Sequence, residues 1–238
     1  MTSHSWLRAS WPASRRPQAP LVIGALTVLL FAPARPSAQQ AAAPPRHREL
    51  FPPQDLGLLE APDRAAWQKP DQIMDALGIA DGAKVADIGA GAGWFTTRLA
   101  RRVGPNGVVY AQDVQRPMLD AIRRRVQREG LQNVRTVLGE GSSPNLPPRV
   151  LDAVLVVDAY PEVQVLVRVT FLKNLALGLK PNGRIGIVNY KLGGGGPGPD
   201  DPSLRVPRAS VERDAAAAGL NVKASGNLPY QYLLVLGR

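Results

Sequence analysis

The sequence predicts an α/β protein: a doubly wound, mainly parallel seven-stranded sheet with a C-terminal antiparallel hairpin. Three observations carry this. From residue 63 onward, short apolar strand-like runs alternate with segments of helical periodicity. A glycine-rich turn, Gly89-Ala90-Gly91-Ala92-Gly93, follows the first strand. The last two strands come with no helix between them.

In order along the chain, the spacing predicts a first helix over residues 63 to 77, with Pro70 bending or dividing it and Gly78 stopping it. Residues 84 to 88 read as a short apolar strand ending in the glycine turn. Phe95, Leu99 and Val103 then recur every four residues, marking the buried stripe of a helix that Gly104-Pro105-Asn106-Gly107 breaks. Residues 108 to 111 form a second strand and Asp113 follows it. A helix over 116 to 129 sets Met118, Ile122 and Val126 on one face, and residues 134 to 138 form a third strand. Residues 151 to 157 are almost unbrokenly apolar, as suits a central strand buried on both faces.

The next stretch is ambiguous, since Val163, Val165, Val167 and Val169 alternate as in a strand. Topology favours a helix, because parallel strands before and after it, the latter over 184 to 189, need a right-handed crossover. Lys180-Pro181-Asn182-Gly183 supplies the stop and turn. A Gly/Pro-rich loop over 193 to 202 leads to a last helix over 206 to 218 and strands over 221 to 224 and 231 to 236.

At 238 residues, the chain has room for one such domain plus an N-terminal extension. The formal charge of +10 invites a nucleic-acid reading, but residues 1 to 38 carry four arginines and no acid. Without them 25 basic residues face 19 acidic, a net +6. The remaining excess falls largely on two predicted helices, in Arg98, Arg101, Arg102, Arg123, Arg124, Arg125 and Arg128. With no aromatic interleaving and no recognised nucleic-acid module, these read as solvated faces, and no specific nucleic acid is expected. The absence of cysteine excludes disulfides, thiolate metal sites and a lipidated N-terminal cysteine.

Residues 1 to 20 are basic and polar, 21 to 32 form a short apolar run, and Pro36-Ser37-Ala38 follows. That is the order of a secretory signal. The run is short for a membrane span, which needs about 20 apolar residues. Cleavage after Ala38 is expected, giving an exported, periplasmic or secreted protein; an uncleaved membrane anchor is the alternative. A start nearer Met74 would remove this signal together with part of the first helix. Residues 39 to 62 are a Pro-rich linker with Phe51, Leu56, Leu58 and Leu59 as anchoring side chains, and 63 to 238 form the domain.

In doubly wound sheets ligands bind beyond the carboxyl ends of the strands, where strand order reverses. The turn after the first strand lies there, and its glycines let the backbone approach a ligand. Asp113, 20 residues after Gly93, sets a carboxylate where it can accept from both hydroxyls of a ribose. A dinucleotide fingerprint would place a third glycine where Trp94 stands, and that bulk disfavours pyrophosphate binding.

Residues 85 to 93, VADIGAGAG, resemble motif I of class I S-adenosylmethionine-dependent methyltransferases. The resemblance implies the Rossmann-like methyltransferase fold, with S-adenosylmethionine as cofactor. It makes Asp87 the acid before the turn and sets Gly89, Gly91 and Gly93 along the methionine and ribose of the cofactor. Asp113 becomes the ribose-binding acid, Met118 packs near the adenine, and Glu140, after Gly139, contacts the adenine amine. Leu179-Lys180-Pro181-Asn182-Gly183 resembles the family's turn before the fifth strand.

Methyl transfer is an in-line displacement, so much of its acceleration can come from positioning alone. The chain's only histidines are His4 and His47, both ahead of the domain, which excludes a histidine base within it. Asp158, Tyr160 and Glu162, after the fourth strand, lie where the family places substrate-facing residues and are the candidate catalytic groups; Tyr190 and Lys191 stand behind them. Related sequences often carry a histidine where this one has Pro161. Two function classes follow: methyl transfer to a small-molecule or lipid-like acceptor, and cofactor binding without catalysis. No metal site is expected.

Overall fold

A computed structural model describes residues 50 to 193 and 195 to 238. The expected signal segment, and the expected linker as far as residue 49, lie outside the described residues.

Seven strands form one sheet in the order β3-β2-β1-β4-β5-β7-β6. They are β1 Lys84–Ile88, β2 Val108–Asp113, β3 Val134–Leu138, β4 Leu151–Val157, β5 Leu179–Tyr190, β6 Asn221–Asn227 and β7 Gln231–Gly237. The first five pair in parallel, while β7 pairs antiparallel with both β5 and β6. This is the expected α/β architecture, the Rossmann-like methyltransferase arrangement with its antiparallel C-terminal strands. The chain winds from β1 outward through β2 and β3, then returns to β4 and β5 on the other side of β1. The switch point therefore lies between the carboxyl ends of β1 and β4.

Helices α1 Arg64–Gln68, α2 Pro70–Ala76, α3 Trp94–Val103, α4 Arg116–Arg128, α5 Arg168–Gly178 and α6 Arg208–Ala217 cover the sheet. Strand alternation decides which face each side chain serves. Ala153 and Leu155 of β4 join Ile73, Met74, Phe95 and Leu99 of α2 and α3. Their neighbours Val154 and Val156 join Phe171, Leu172 and Leu175 of α5 and Val211 and Ala215 of α6. Leu119 and Ile122 of α4 close over Ala111 of β2.

The predicted first helix is two helices. Lys69, at φ 53°, turns the chain between them, because Pro70 cannot donate to an uninterrupted ladder but is well suited to opening a helix. The ambiguous segment after β4 is two 3-10 turns, Tyr160–Glu162 and Val165–Val167, followed by α5. Strand β5 begins at Leu179 rather than Arg184, which corrects the expectation of a free turn at residues 180 to 183. Pairing passes from Leu151↔Leu179 to Ala153↔Arg184, so those residues are absorbed in a bulge. Among the described residues, no helix is long and apolar enough to cross a membrane.

Candidate functional site

Gly89, Gly91 and Gly93 all hold positive φ, at 65°, 54° and 82°, in the turn from β1 into α3. At Gly89 the requirement is also steric, since a Cβ would overlap that of Ala159, just beyond β4. This contact closes the switch point and brings the two strand ends together. Trp94 opens α3, buried and stacked edge-on to Phe95 at 4.9 Å. The guanidiniums of Arg64 and Arg98 lie 4.4 and 3.5 Å from its ring centre.

Asp113, buried at the end of β2, reaches across to this turn. One carboxylate oxygen accepts from the Gly91 N–H at 3.0 Å and the other from the Gln115 N–H at 2.9 Å. Burial raises its pKa, and these backbone donors oppose the rise. Asp87, on β1, accepts from the Thr96 hydroxyl of α3 at 2.6 Å. Burial pushes its carboxyl up to about 6, while Thr96 and the nearby Arg64 guanidinium pull the other way. Asp87 thus ties the strand to the helix beneath the turn.

The described part of the linker lies against this turn. A 3-10 helix, Pro53–Glu60, brings a Leu59 methyl to 3.3 Å from where a Cβ on Gly91 would stand. The Phe51 carbonyl accepts from the Gln115 amide at 3.0 Å, and Glu60 pairs with Arg125. Leu58 is 76% exposed and anchors nothing.

At the end of β4, Asp158 adopts φ 57°, uncommon for a residue with a side chain. Its N–H donates to the Val188 carbonyl of β5. The Gln231 amide, at the start of β7, donates to both of its carboxylate oxygens at 2.8 Å. Gln231 in turn accepts from the Gln68 amide at 3.0 Å, and Gln68 accepts from the Arg64 guanidinium. Arg64 also donates to the Leu59 carbonyl. Burial lowers the Arg64 pKa, while Asp158, Tyr190, Asp87 and Glu60 favour its charged form. Tyr190 ends β5 beside Trp67, and its hydroxyl pKa is raised by burial and then by Asp158.

The sequence-derived residues therefore divide. Asp87, Gly89, Gly91, Gly93 and Asp113 converge on the turn, while Asp158 and Tyr190 stand at the ends of β4 and β5, both near the Arg64 guanidinium. Met118 is fully buried in α4, and Glu140 is exposed in a bridge with Ser143. Tyr160 is not brought to Asp158's side: it is wholly buried against Phe171, and its hydroxyl donates to Asp214 of α6 at 2.7 Å. Glu162 is half-buried at the end of the same 3-10 turn. Lys191 donates to the carbonyls of Leu228 and Pro229. Arg64, Gln68 and Gln231 were not anticipated. The i,i+4 spacing of the first two was visible, but a partner 163 residues away was not.

Comparison with known proteins is consistent with this geometry. A family model described as "Methyltransferase domain" matches residues 85–183. The protein-L-isoaspartate O-methyltransferase of Methanococcoides burtonii is 30% identical over 141 residues, covering 55% of this chain and 68% of that protein. The chain belongs to the class I S-adenosylmethionine-dependent methyltransferases. A methyltransferase of this dependence from Aquifex aeolicus, solved as a crystal structure, is 27% identical with a TM-score of 0.74. It covers 78% of this chain and 98% of its own. The demethylmenaquinone methyltransferase of Anoxybacillus flavithermus is 32% identical over 50% of this chain and 49% of its own length. The chain spans about half the length of the first curated relatives it matches. The family implies S-adenosylmethionine as cofactor.

Proposed function

We propose that this protein transfers a methyl group from S-adenosylmethionine to a small-molecule or lipid-like acceptor. The observation that carries the reading is the convergence of Asp113 with the Gly89, Gly91 and Gly93 turn at the switch point. The residues present fit the cofactor. Asp113 offers a buried carboxylate for ribose hydroxyls, and the absence of a side chain at Gly91 leaves room that only a Leu59 methyl borders. When bound, the cofactor supplies an electrophilic methyl group.

The chain's own residues then bind, orient and exclude water. Leu59 and the 3-10 helix cover the turn from one side, and Asp158 and Tyr190 line the other. Relatives whose names specify isoaspartate, demethylmenaquinone and nocamycin leave the acceptor class open. The same reading keeps the domain outside the cytosol, on the signal-like order of residues 1 to 38. A second reading, cofactor binding without transfer, is favoured by Pro161 in place of the histidine of related sequences.

The test is calorimetric titration of the purified protein with S-adenosylmethionine and, separately, NAD, followed by transfer of labelled methyl to cell-envelope extracts. Micromolar binding of the methyl donor alone and label in a small-molecule or lipid fraction support transfer. Binding without any transfer supports the second reading. Failure of a folded protein to bind the methyl donor overturns both.

A further inference from the structure

The hydrogen bonds between Arg64 and Asp158 run in one direction. Arg64 donates to the Gln68 carbonyl, the Gln68 NH2 donates to the Gln231 carbonyl, and the Gln231 NH2 donates to the Asp158 carboxylate. The orientation of both amides is forced by the two ends, since a guanidinium can only donate and a carboxylate can only accept. A protonated carboxyl would present a hydrogen of its own to the Gln231 NH2, so the two-fold grip fits the ionised form. Both glutamines are wholly buried, and a buried polar chain across three elements costs stability that apolar packing would not. Asp158 itself sits at positive φ, a second local cost at the same point.

Resting on the reading of the turn as the cofactor site, we propose that Asp158 is the acceptor-binding carboxylate, that Gln231 and Gln68 are its positioning residues, and that the acceptor atom is an amine nitrogen. The neighbour of Asp158, Ala159, lies against Gly89, so Asp158 follows directly on the residue pair that joins the end of β4 to the turn taken as the cofactor site. A carboxylate there attracts a protonated amine and repels an acceptor that is itself a carboxylate. In the step, the amine gives up one proton to an Asp158 oxygen. Its freed lone pair forms the bond to the methyl carbon, while the carbon–sulfur bond breaks with its electron pair left on sulfur.

The inference is open to test before any acceptor is known. Sinefungin is a cofactor analogue that carries an amine where the transferable methyl would sit, whereas S-adenosylhomocysteine carries nothing there. Calorimetric titration of the full-length protein is expected to show sinefungin binding about tenfold more tightly, as one charge-assisted hydrogen bond supplies. In Asp158→Asn, and in Gln231→Leu, that preference is lost while S-adenosylhomocysteine affinity stays within about threefold. A merely structural role would weaken both ligands together. Asn tolerates positive φ, so Asp158→Asn keeps the test available if Gln231→Leu fails to fold. Absence of the preference in the unaltered protein, its retention in Asp158→Asn, or parallel loss of both ligands overturns the proposal. Failure of S-adenosylhomocysteine itself to bind instead overturns the cofactor reading on which it rests.

Discussion

The two sides of the switch point are built differently. On the side proposed to hold the cofactor, the parts that define the turn come from residues 87 to 113, one β-α-β unit whose contacts are local in sequence. On the side proposed to meet the acceptor, Arg64, Gln68, Asp158 and Gln231 come from the start, middle and end of the domain and meet through side chains. A site read by backbone shape can be written in a short stretch of sequence. A site read by side-chain chemistry need not be, which leaves the acceptor side freer to change.

Substitutions at the local side should have the largest effects. Gly89→Ala adds left-handed strain and an overlap with Ala159, and together these are expected to lower stability by about 4 kcal/mol in urea unfolding. An unchanged midpoint would show that the two strand ends do not press together. Asp87→Asn comes next and is pH-dependent. The folded pKa of about 6 stands above the ordinary carboxylate value of 3.8, so the native state of the unaltered protein is favoured below about pH 4. That contribution is lost as pH rises through 6. The Asn variant lacks this loss and should gain about 3 kcal/mol relative to the unaltered protein between pH 4 and 7. Parallel pH curves would place the titration elsewhere.

The same contrast decides what could be read in advance. Strands β1, β3 and β4 and the turn residues were legible because periodicity and glycine spacing are local signals. Leu179 to Gly183 looked like a turn by composition, yet the sheet absorbs it, because pairing of Leu179 with Leu151 satisfies the backbone on both sides of the bulge. Tyr160 looked like a site residue by position, but its ring faces α5 and α6, an orientation fixed by Asp214, 54 residues on. Gln231 opens an otherwise apolar strand, a faint sign of a buried polar partner whose identity no local pattern carries.

Across the switch point, Gln231→Leu removes the buried amide that joins Gln68 to Asp158 and should cost about 2 kcal/mol in chemical denaturation. A neutral effect would mean that the relay is not held in solution. The smallest effects belong to the linker. Leu59→Ala should cost about 1 kcal/mol and Leu58→Ala close to nothing, since only the former packs on the turn. Equal thermal shifts for the two would detach the linker from the site.

The most direct measurement is calorimetric titration of S-adenosylhomocysteine into the unaltered protein, Asp113→Asn and Gln231→Leu. The account predicts micromolar binding weakened at least about tenfold by the first substitution and little changed by the second. Equal loss in both, or no binding by a folded unaltered protein, would contradict a locally built cofactor side.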